Sequence, residues 1–235
     1  MDVVDEPLAD RAIGPLLDVG RANTIFAVGD DRVLRRAPDH RSFVAEARAM
    51  ERIAASGYPV PRVHRVAPGE MVLDRVPGPT MLDDIGRRPW RLGAHARLLA
   101  DLHHRLHQIR APEELPAAPV PGPVVVHLDL HPQNVILSPS GPVVIDWTNV
   151  ARGTAGADIA MTWMIMAVSE VDEPGMLRPL LALFRRRFVE RFLAHAGRDE
   201  ARSVLREMSV YRAQDRNVRP QERIALEQLL RVEDV

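Results

Sequence analysis

The chain has 235 residues, enough for one large domain or for two lobes that each bury a core, and its formal charge of −1 leaves no basic footprint for nucleic acid. It contains no cysteine, so disulfides and Cys metal sites are excluded. All 31 Lys+Arg residues are arginine, which excludes lysine Schiff-base chemistry and a lysine P-loop.

No apolar run approaches a membrane span, and the start MDVVDEPLAD is acidic, unlike a signal peptide, so the expectation is a soluble, cytoplasmic protein. Leu16–Val19, Thr24–Val28 and Arg32–Arg36 read as a three-stranded meander, with turns at Gly20-Arg21-Ala22-Asn23 and Gly29-Asp30-Asp31. On the third strand Val33 and Arg35 share one face, and Leu34 and Arg36 the other. Helical spacing follows over 43–55, with Asp39 and Ser42 as candidate caps and a stop at Gly57 before Pro59. Glu46 falls on the same arc as Phe43, Met50 and Ile53, away from Arg48 and Arg52. A carboxylate on an apolar face is costly unless paired, and a cation on the neighbouring strand is the simplest partner.

Residues 60–66 and 71–76 read as two more strands around Pro68-Gly69-Glu70, completing a five-stranded sheet with one helix. Over 92–109 the apolar stripe Leu92, Ala96, Leu99, Leu102, Leu106 and Ile109 predicts a helix decorated by His95, His103, His104 and His107. His103 projects into the Leu99/Leu106 arc and reads as a hydrogen-bonded core residue, since no third metal ligand accompanies His103 and His107. Residues 111–123 carry prolines at 112, 116, 119, 121 and 123, a stiff extended connector.

Val124–Val126, 135–137 and 143–145 are short β-branched runs, with turn chemistry at 138–142. A hairpin symmetric about Ser140 sets Val135 opposite Ile145 and Leu137 opposite Val143, which places Asn134 opposite Asp146. Cross-strand Cβ atoms lie about 4.5–5.5 Å apart, so one small cation fits between them. An amide oxygen plus a carboxylate suits Mg²⁺ carrying substrate phosphates better than zinc. Asp129, five positions before Asn134, is a third polar group, placed to act on a substrate proton. Beyond Asp146 come a loop of small residues, a helix over 159–168, and the acidic loop Glu170-Val171-Asp172-Glu173-Pro174. Another helix buries Leu183, Phe184, Phe188 and Phe192, and two more span 200–215 and 219–230.

His127-Leu128-Asp129-Leu130-His131-Pro132-Gln133-Asn134, followed by a strand and Ile145-Asp146-Trp147, has the layout of a kinase catalytic loop and metal-binding aspartate. More closely, it resembles the aminoglycoside phosphotransferase and choline kinase-like family, whose members show H-G-D-x-H-x-x-N and then I-D-W or I-D-F; Leu128 stands where that Gly is usual. The resemblance covers 16–164. It implies an α+β, two-lobed protein-kinase-like fold, with a small antiparallel β-sheet lobe and one helix over 1–76 for nucleotide. A larger, mainly helical lobe over 77–235 carries catalysis and the acceptor.

The resemblance also implies roles. ATP, or GTP, lies with Mg²⁺ between the lobes, its phosphates under the turn that includes Asn23 and Thr24. Arg35 replaces the strand lysine and pairs with Glu46, with Arg36 as fallback, while the main chain of Asp74 and Val76 holds the base. Asp129 orients the acceptor hydroxyl and takes its proton, His131 contacts phosphate or acceptor, and Asn134 and Asp146 hold the metal. Asp158, in Asp158-Ile159-Ala160, braces the catalytic loop, and His127 is scaffold. The implied activity is transfer of the γ-phosphoryl group to a small-molecule hydroxyl on an aminoglycoside, another antibiotic, a sugar or an amino alcohol, with no nucleic-acid or membrane partner. Glu170, Asp172, Glu173, Glu207 and Asp215 are candidates for an acidic acceptor pocket, although the connector lacks the helical insertion that helps to build this pocket in many relatives. Two rivals are a catalytically silent nucleotide-binding module and a metallohydrolase built on His127, Asp129 and His131.

Overall fold

The computed structural model describes residues 2–4, 13–20, 23–168, 178–214 and 218–235. Its strands are β1 (Asp2–Val3), β2 (Leu16–Val19), β3 (Thr24–Val28), β4 (Arg32–Arg36), β5 (Val63–Ala67), β6 (Glu70–Asp74), β7 (Val124–Val126), β8 (Val135–Ser138), β9 (Gly141–Val144) and β10 (Ala151–Gly153). Its helices are α1 (Val44–Ala55), α2 (Met81–Arg87), α3 (Leu92–His107), α4 (Ala155–Val168), α5 (Arg178–Ala196), α6 (Arg198–Ser203), α7 (Leu205–Ala213) and α8 (Pro220–Glu233). They pack as two compact units, Met1–Pro79 with Val135–Thr148 and Thr80–Asn134 with Asn149–Val235. The division is not a single cut in the chain, because the β8–β9 hairpin packs with the first unit.

In the first unit the sheet runs β1-β5-β6-β4-β3-β2. The five strands from β2 to β6 pair antiparallel, as their spacing predicts, and β1 adds a sixth, parallel to β5. Strand β5 starts at Val63 because Pro59 and Pro61, which have no N–H to give a ladder, precede it. Helix α1 starts at Val44, whose N–H donates to Ser42 Oγ at 3.3 Å, and it buries Ala47, Ala49, Met50 and Ile53.

The hairpin register is Val135 with Val144, Ile136 with Val143, Leu137 with Pro142 and Ser138 with Gly141. The pairing of Val135 with Ile145 drawn from a turn centred on Ser140 is therefore one residue out. A two-residue turn, Pro139-Ser140, closes the loop, with Gly141 at φ +125° and Ser138 Oγ donating to Gly141 O at 2.8 Å. A one-residue slip turns every side chain to the other face, so the placement of Asn134 opposite Asp146 falls with it. The hairpin is tied to the rest of its unit by Leu137 N–H donating to Pro79 O (2.9 Å) and Val144 N–H to Pro59 O (2.8 Å). Trp147, fully buried, packs edge-on against Tyr58, 5.8 Å between ring centroids.

The second unit is mainly helical, with the antiparallel pair β7 and β10 beside it. Helix α3 buries Leu92, Ala96, Leu99, Leu102 and Leu106 of the predicted stripe together with His103, but it ends at His107, so Ile109 lies past it and is half-buried. Helix α4 is buried nearly all round and packs against α3 and α5–α8, so it forms the core of this unit. Three sequence readings change. The region 200–215 is two helices broken at Val204; Leu183 is 45% exposed, the buried side of α5 being Phe188, Val189, Phe192 and Leu193; and α2 was not foreseen. Its start is a capping box, with Thr80 Oγ1 accepting from Asp83 N–H and Asp83 Oδ2 from Thr80 N–H. No helix among the described residues is long and apolar enough to cross a membrane.

Gly78 has φ +136°, and a Cβ there collides with Leu137 O. Gly78→Ala is expected to cost roughly 1–3 kcal/mol, through backbone strain and displacement of the hairpin. Urea unfolding followed by tryptophan fluorescence measures it, Trp147 being the reporter beside the hairpin.

Candidate active site

Arg35 lies on the central strand β4 and is only 5% exposed. Its Nη1 donates to Glu46 Oε1 at 2.5 Å, its Nη2 donates to Asp146 Oδ1 at 2.9 Å and to Thr148 Oγ1, and its Cζ lies 5.3 Å from the Phe43 ring centroid. Thr148 Oγ1 in turn donates to Asp146 Oδ1 at 2.7 Å. One guanidinium thus joins a strand, a helix and the residues after β9 within the first unit. Burial pushes the Glu46 carboxyl up from its ordinary value, opposed by Arg35 and reinforced by Asp146. Asp146 itself sits at φ +62°, its side chain 45% exposed.

The fallback, Arg36, is committed elsewhere, with Nε and Nη2 donating to Glu70 Oε1 at 2.9 and 2.7 Å. Asn23 Oδ1 accepts from Arg41 Nη2 at 2.8 Å, and Gly20 N–H donates to Asn23 O at 2.9 Å. Thr24 opens β3, paired with Val19 and Arg36. The Asp74 side chain is taken by His64 Nε2 (2.6 Å) and by the Arg62 N–H (3.3 Å). Its strand ends at Asp74, so Val76 lies past the sheet.

In the second unit, Pro132–Asn134 forms a 3₁₀ turn after β7. Asn134 Nδ2 donates to Asp129 O at 2.8 Å and to Asp129 Oδ2 at 3.2 Å, and Asn134 N–H to His131 O at 2.8 Å. His131 Nε2 lies 3.6 Å from Asp129 Oδ1. Asp129, His131 and Asn134 are therefore one cluster, with the Asp129 side chain 28% exposed.

Beneath the loop, Asp158 is fully buried on α4. Its Oδ1 accepts the N–H groups of His127 (3.1 Å) and Leu128 (2.7 Å), and its Oδ2 contacts His107 Nε2 at 3.0 Å. Burial alone raises its carboxyl, but the hydrogen bond from His107 and the potentials of His103, His107 and His127 hold it well below the ordinary value. Leu128 has φ +60°, a conformation that glycine adopts freely, and its side chain is buried. His103, also fully buried, contacts Leu99 O through Nδ1 (2.8 Å) and Thr162 Oγ1 through Nε2 (3.0 Å). Burial pushes His103 down to about 4.

The sequence reading missed Thr148, Thr162 and the partnership of His107 with Asp158. The signals were a hydroxyl two positions after Asp146 and a threonine one helical turn after Asp158. Glu170, Asp172, Glu173 and Asp215 lie outside the described residues, and Glu207 lies in the first turn of α7. Among the described residues no three His, Asp or Glu side chains gather to hold a metal ion, so His127, Asp129 and His131 do not form the cluster that a metallohydrolase needs.

A model of the phosphotransferase enzyme family matches residues 15–120 and 84–208. The fold is shared with solved structures at low identity. A thermostable mutant of aminoglycoside phosphotransferase APH(4)-Ia, in ternary complex with AMP-PNP and hygromycin B, is 15% identical over 94% of each chain, with a TM-score of 0.63. A choline/ethanolamine kinase family protein from Mesorhizobium loti is 18% identical over 92% of this chain and 88% of its own, with a TM-score of 0.60. APH(2")-IIa in complex with streptomycin and ATP is 14% identical over 93% of this chain and 92% of its own, with a TM-score of 0.59. Among curated proteins nothing matches.

Buried His103 is held neutral, with its folded pKa below the unfolded one. Its contribution to stability is complete above about pH 6.5 and is lost as pH falls towards 4, to the extent of about 3 kcal/mol. Asp158 loses its contribution only below its ordinary carboxylate range. Urea unfolding of wild type at pH 7 and pH 4.5 is expected to show the drop, and His103→Gln to flatten most of it.

Proposed function

The chain belongs to the phosphotransferase enzyme family, and we propose that it transfers the γ-phosphoryl group of ATP, or GTP, to a hydroxyl of a small molecule in the cytoplasm. The observation that carries this reading is the buried pair of Arg35 with Glu46, the strand-to-helix ion pair of kinases with arginine in the place of lysine. A guanidinium offers planar, paired donors that suit phosphate oxygens, and Glu46 fixes its direction. Asn23 and Thr24 border the turn assigned to the phosphates, and the main chain at Asp74 and Val76 is assigned to the base.

Phosphoryl transfer depends on positioning and charge neutralisation more than on covalent help from the protein. Asp129 orients the acceptor hydroxyl and receives its proton. His131, 3.6 Å from the same carboxylate, is the companion contact for the phosphate or the acceptor. Asn134 and Asp146 each carry a hard-oxygen donor of the kind that Mg²⁺ takes. Donation by Asn134 Nδ2 to Asp129 commits the amide nitrogen and leaves Oδ1 as the donor oxygen for a hard cation, and Asp146 is the more exposed of the two carboxylates on Arg35. The ion supplies neutralisation of the phosphate charge when bound.

For the acceptor, the ligands of the solved relatives, streptomycin and hygromycin B, and the choline/ethanolamine kinase relative point to hydroxyl-bearing cations. Aminoglycosides and amino alcohols head the panel, with macrolides and sugars behind them. A second reading, nucleotide binding without transfer, is favoured by one observation, the bond from Arg35 to Asp146, since a carboxylate already paired with guanidinium holds a cation less well.

Calorimetry with ATP and GTP, with and without Mg²⁺, beside ADP release against that panel, separates the readings. Metal-dependent binding with acceptor-stimulated release is expected. Binding with no release for any acceptor favours the silent module, and no nucleotide binding at all overturns both. Asp129→Asn is expected to abolish transfer while nucleotide affinity stays within about threefold; turnover at the wild-type rate removes Asp129 from its role.

A further inference from the structure

We propose that Thr162 is a positioning residue for the catalytic loop, holding the Leu130 carbonyl so that Asp129 and His131 on either side of it keep their direction. The inference rests on the phosphotransferase reading given above. Thr162 is fully buried on α4, and its hydroxyl donates to Leu130 O at 2.7 Å, with Asp158 O at 3.3 Å as the alternative acceptor. Leu130 is itself buried, and it lies between the two residues assigned to chemistry. Holding its carbonyl fixes the plane of the peptide that links Leu130 to His131.

The other grips on the loop show why this one matters. Asp129 O and His131 O are both held by Asn134, which belongs to the loop, whereas Leu130 O is held from α4. One turn earlier on α4, Asp158 holds the N–H groups of His127 and Leu128. Helix α4 thus grips the backbone just before Asp129 and just after it, using two side chains four residues apart that share one face.

His103 completes the arrangement. A neutral imidazole has one N–H for two contacts, Leu99 O at Nδ1 and Thr162 Oγ1 at Nε2. With the proton on Nε2 it is donated to Thr162, whose own proton then goes to Leu130 O. With the proton on Nδ1 it is donated to Leu99 O, and the Thr162 hydroxyl turns towards Nε2, away from Leu130. The bond from Thr162 to Leu130 O therefore belongs to the Nε2–H form of His103.

The test compares Thr162→Val, close in shape but without the hydroxyl, with Thr162→Ser, which keeps it; Thr162→Ala takes the place of the valine variant if that one does not fold. The readouts are kcat and nucleotide KM for transfer and, independent of activity, hydrogen exchange of the backbone amides over 128–134. The valine variant is expected to lose about 10- to 100-fold in kcat with nucleotide KM within about twofold, and to exchange faster in the loop alone, while serine restores both. Wild-type kcat and exchange in the valine variant overturn the proposal, as does loss in the serine variant equal to that in valine. A wild type without turnover or nucleotide binding sinks the phosphotransferase reading instead, and loop exchange in the two variants still decides whether Thr162 holds the loop.

Discussion

A guanidinium at 5% exposure has given up most of its hydration, and only anionic partners with good geometry return what that costs. Arg35 finds two, Glu46 and Asp146, and a hydroxyl from Thr148. These partners come from a helix and from the residues that follow β9, so the sheet, α1 and the hairpin meet at one charge. A lysine in this position has a single compact charge and no planar fork, and would not present two parallel faces of donors to both carboxylates. In a chain with no lysine, the arginine does more than replace a charge. It links the helix carboxylate to the aspartate assigned to the metal.

The loop over 127–134 has its own anchor, and it too is a buried ion. Leu128 holds a left-handed conformation that costs about 1–2 kcal/mol for a residue with a Cβ. Two features offset this strain: the Leu128 N–H is donated to Asp158, and the side chain is buried. Glycine in this position carries no such strain but also buries nothing. Leucine therefore leaves the backbone path intact and adds apolar contact under it. Asp158 remains ionised in the core because two backbone N–H groups and His107 surround its oxygens.

Much of this was legible in the sequence. The Arg35–Glu46 pair follows from a carboxylate on the apolar face of a helix beside a strand that carries arginines, and burial of Glu46 forces the pairing. The cluster of Asp129, His131 and Asn134 follows from local spacing, since all three lie within one short loop. The hairpin register did not follow. Turns of two and three residues fit the same Ser/Pro/Gly composition, and a slip of one residue between them reverses every facing pair. Helix α2 was hidden by its length of seven residues, too short for a periodic stripe, although Thr80 and Asp83 carried its capping signal. The contacts of Thr148 and Thr162 were hidden for a different reason. A hydroxyl is small enough to suit core or surface, and only the folded backbone determines which acceptor it meets.

The two anchors differ in how open they are to solvent. Arg35, Glu46 and Asp146 are joined by charge, and Asp146 keeps its side chain nearly half exposed, so a cation or a phosphate competes directly with bonds that already exist there. The loop that carries Asp129 is held by Asp158 and Thr162, both wholly buried, with His103 behind Thr162. Under the proposed function, a bound phosphate can rearrange the first set while the second keeps Asp129 in place. The proposed phosphoryl transfer would use this division, with charge that redistributes around the phosphates and an Asp129 whose position does not depend on what is bound.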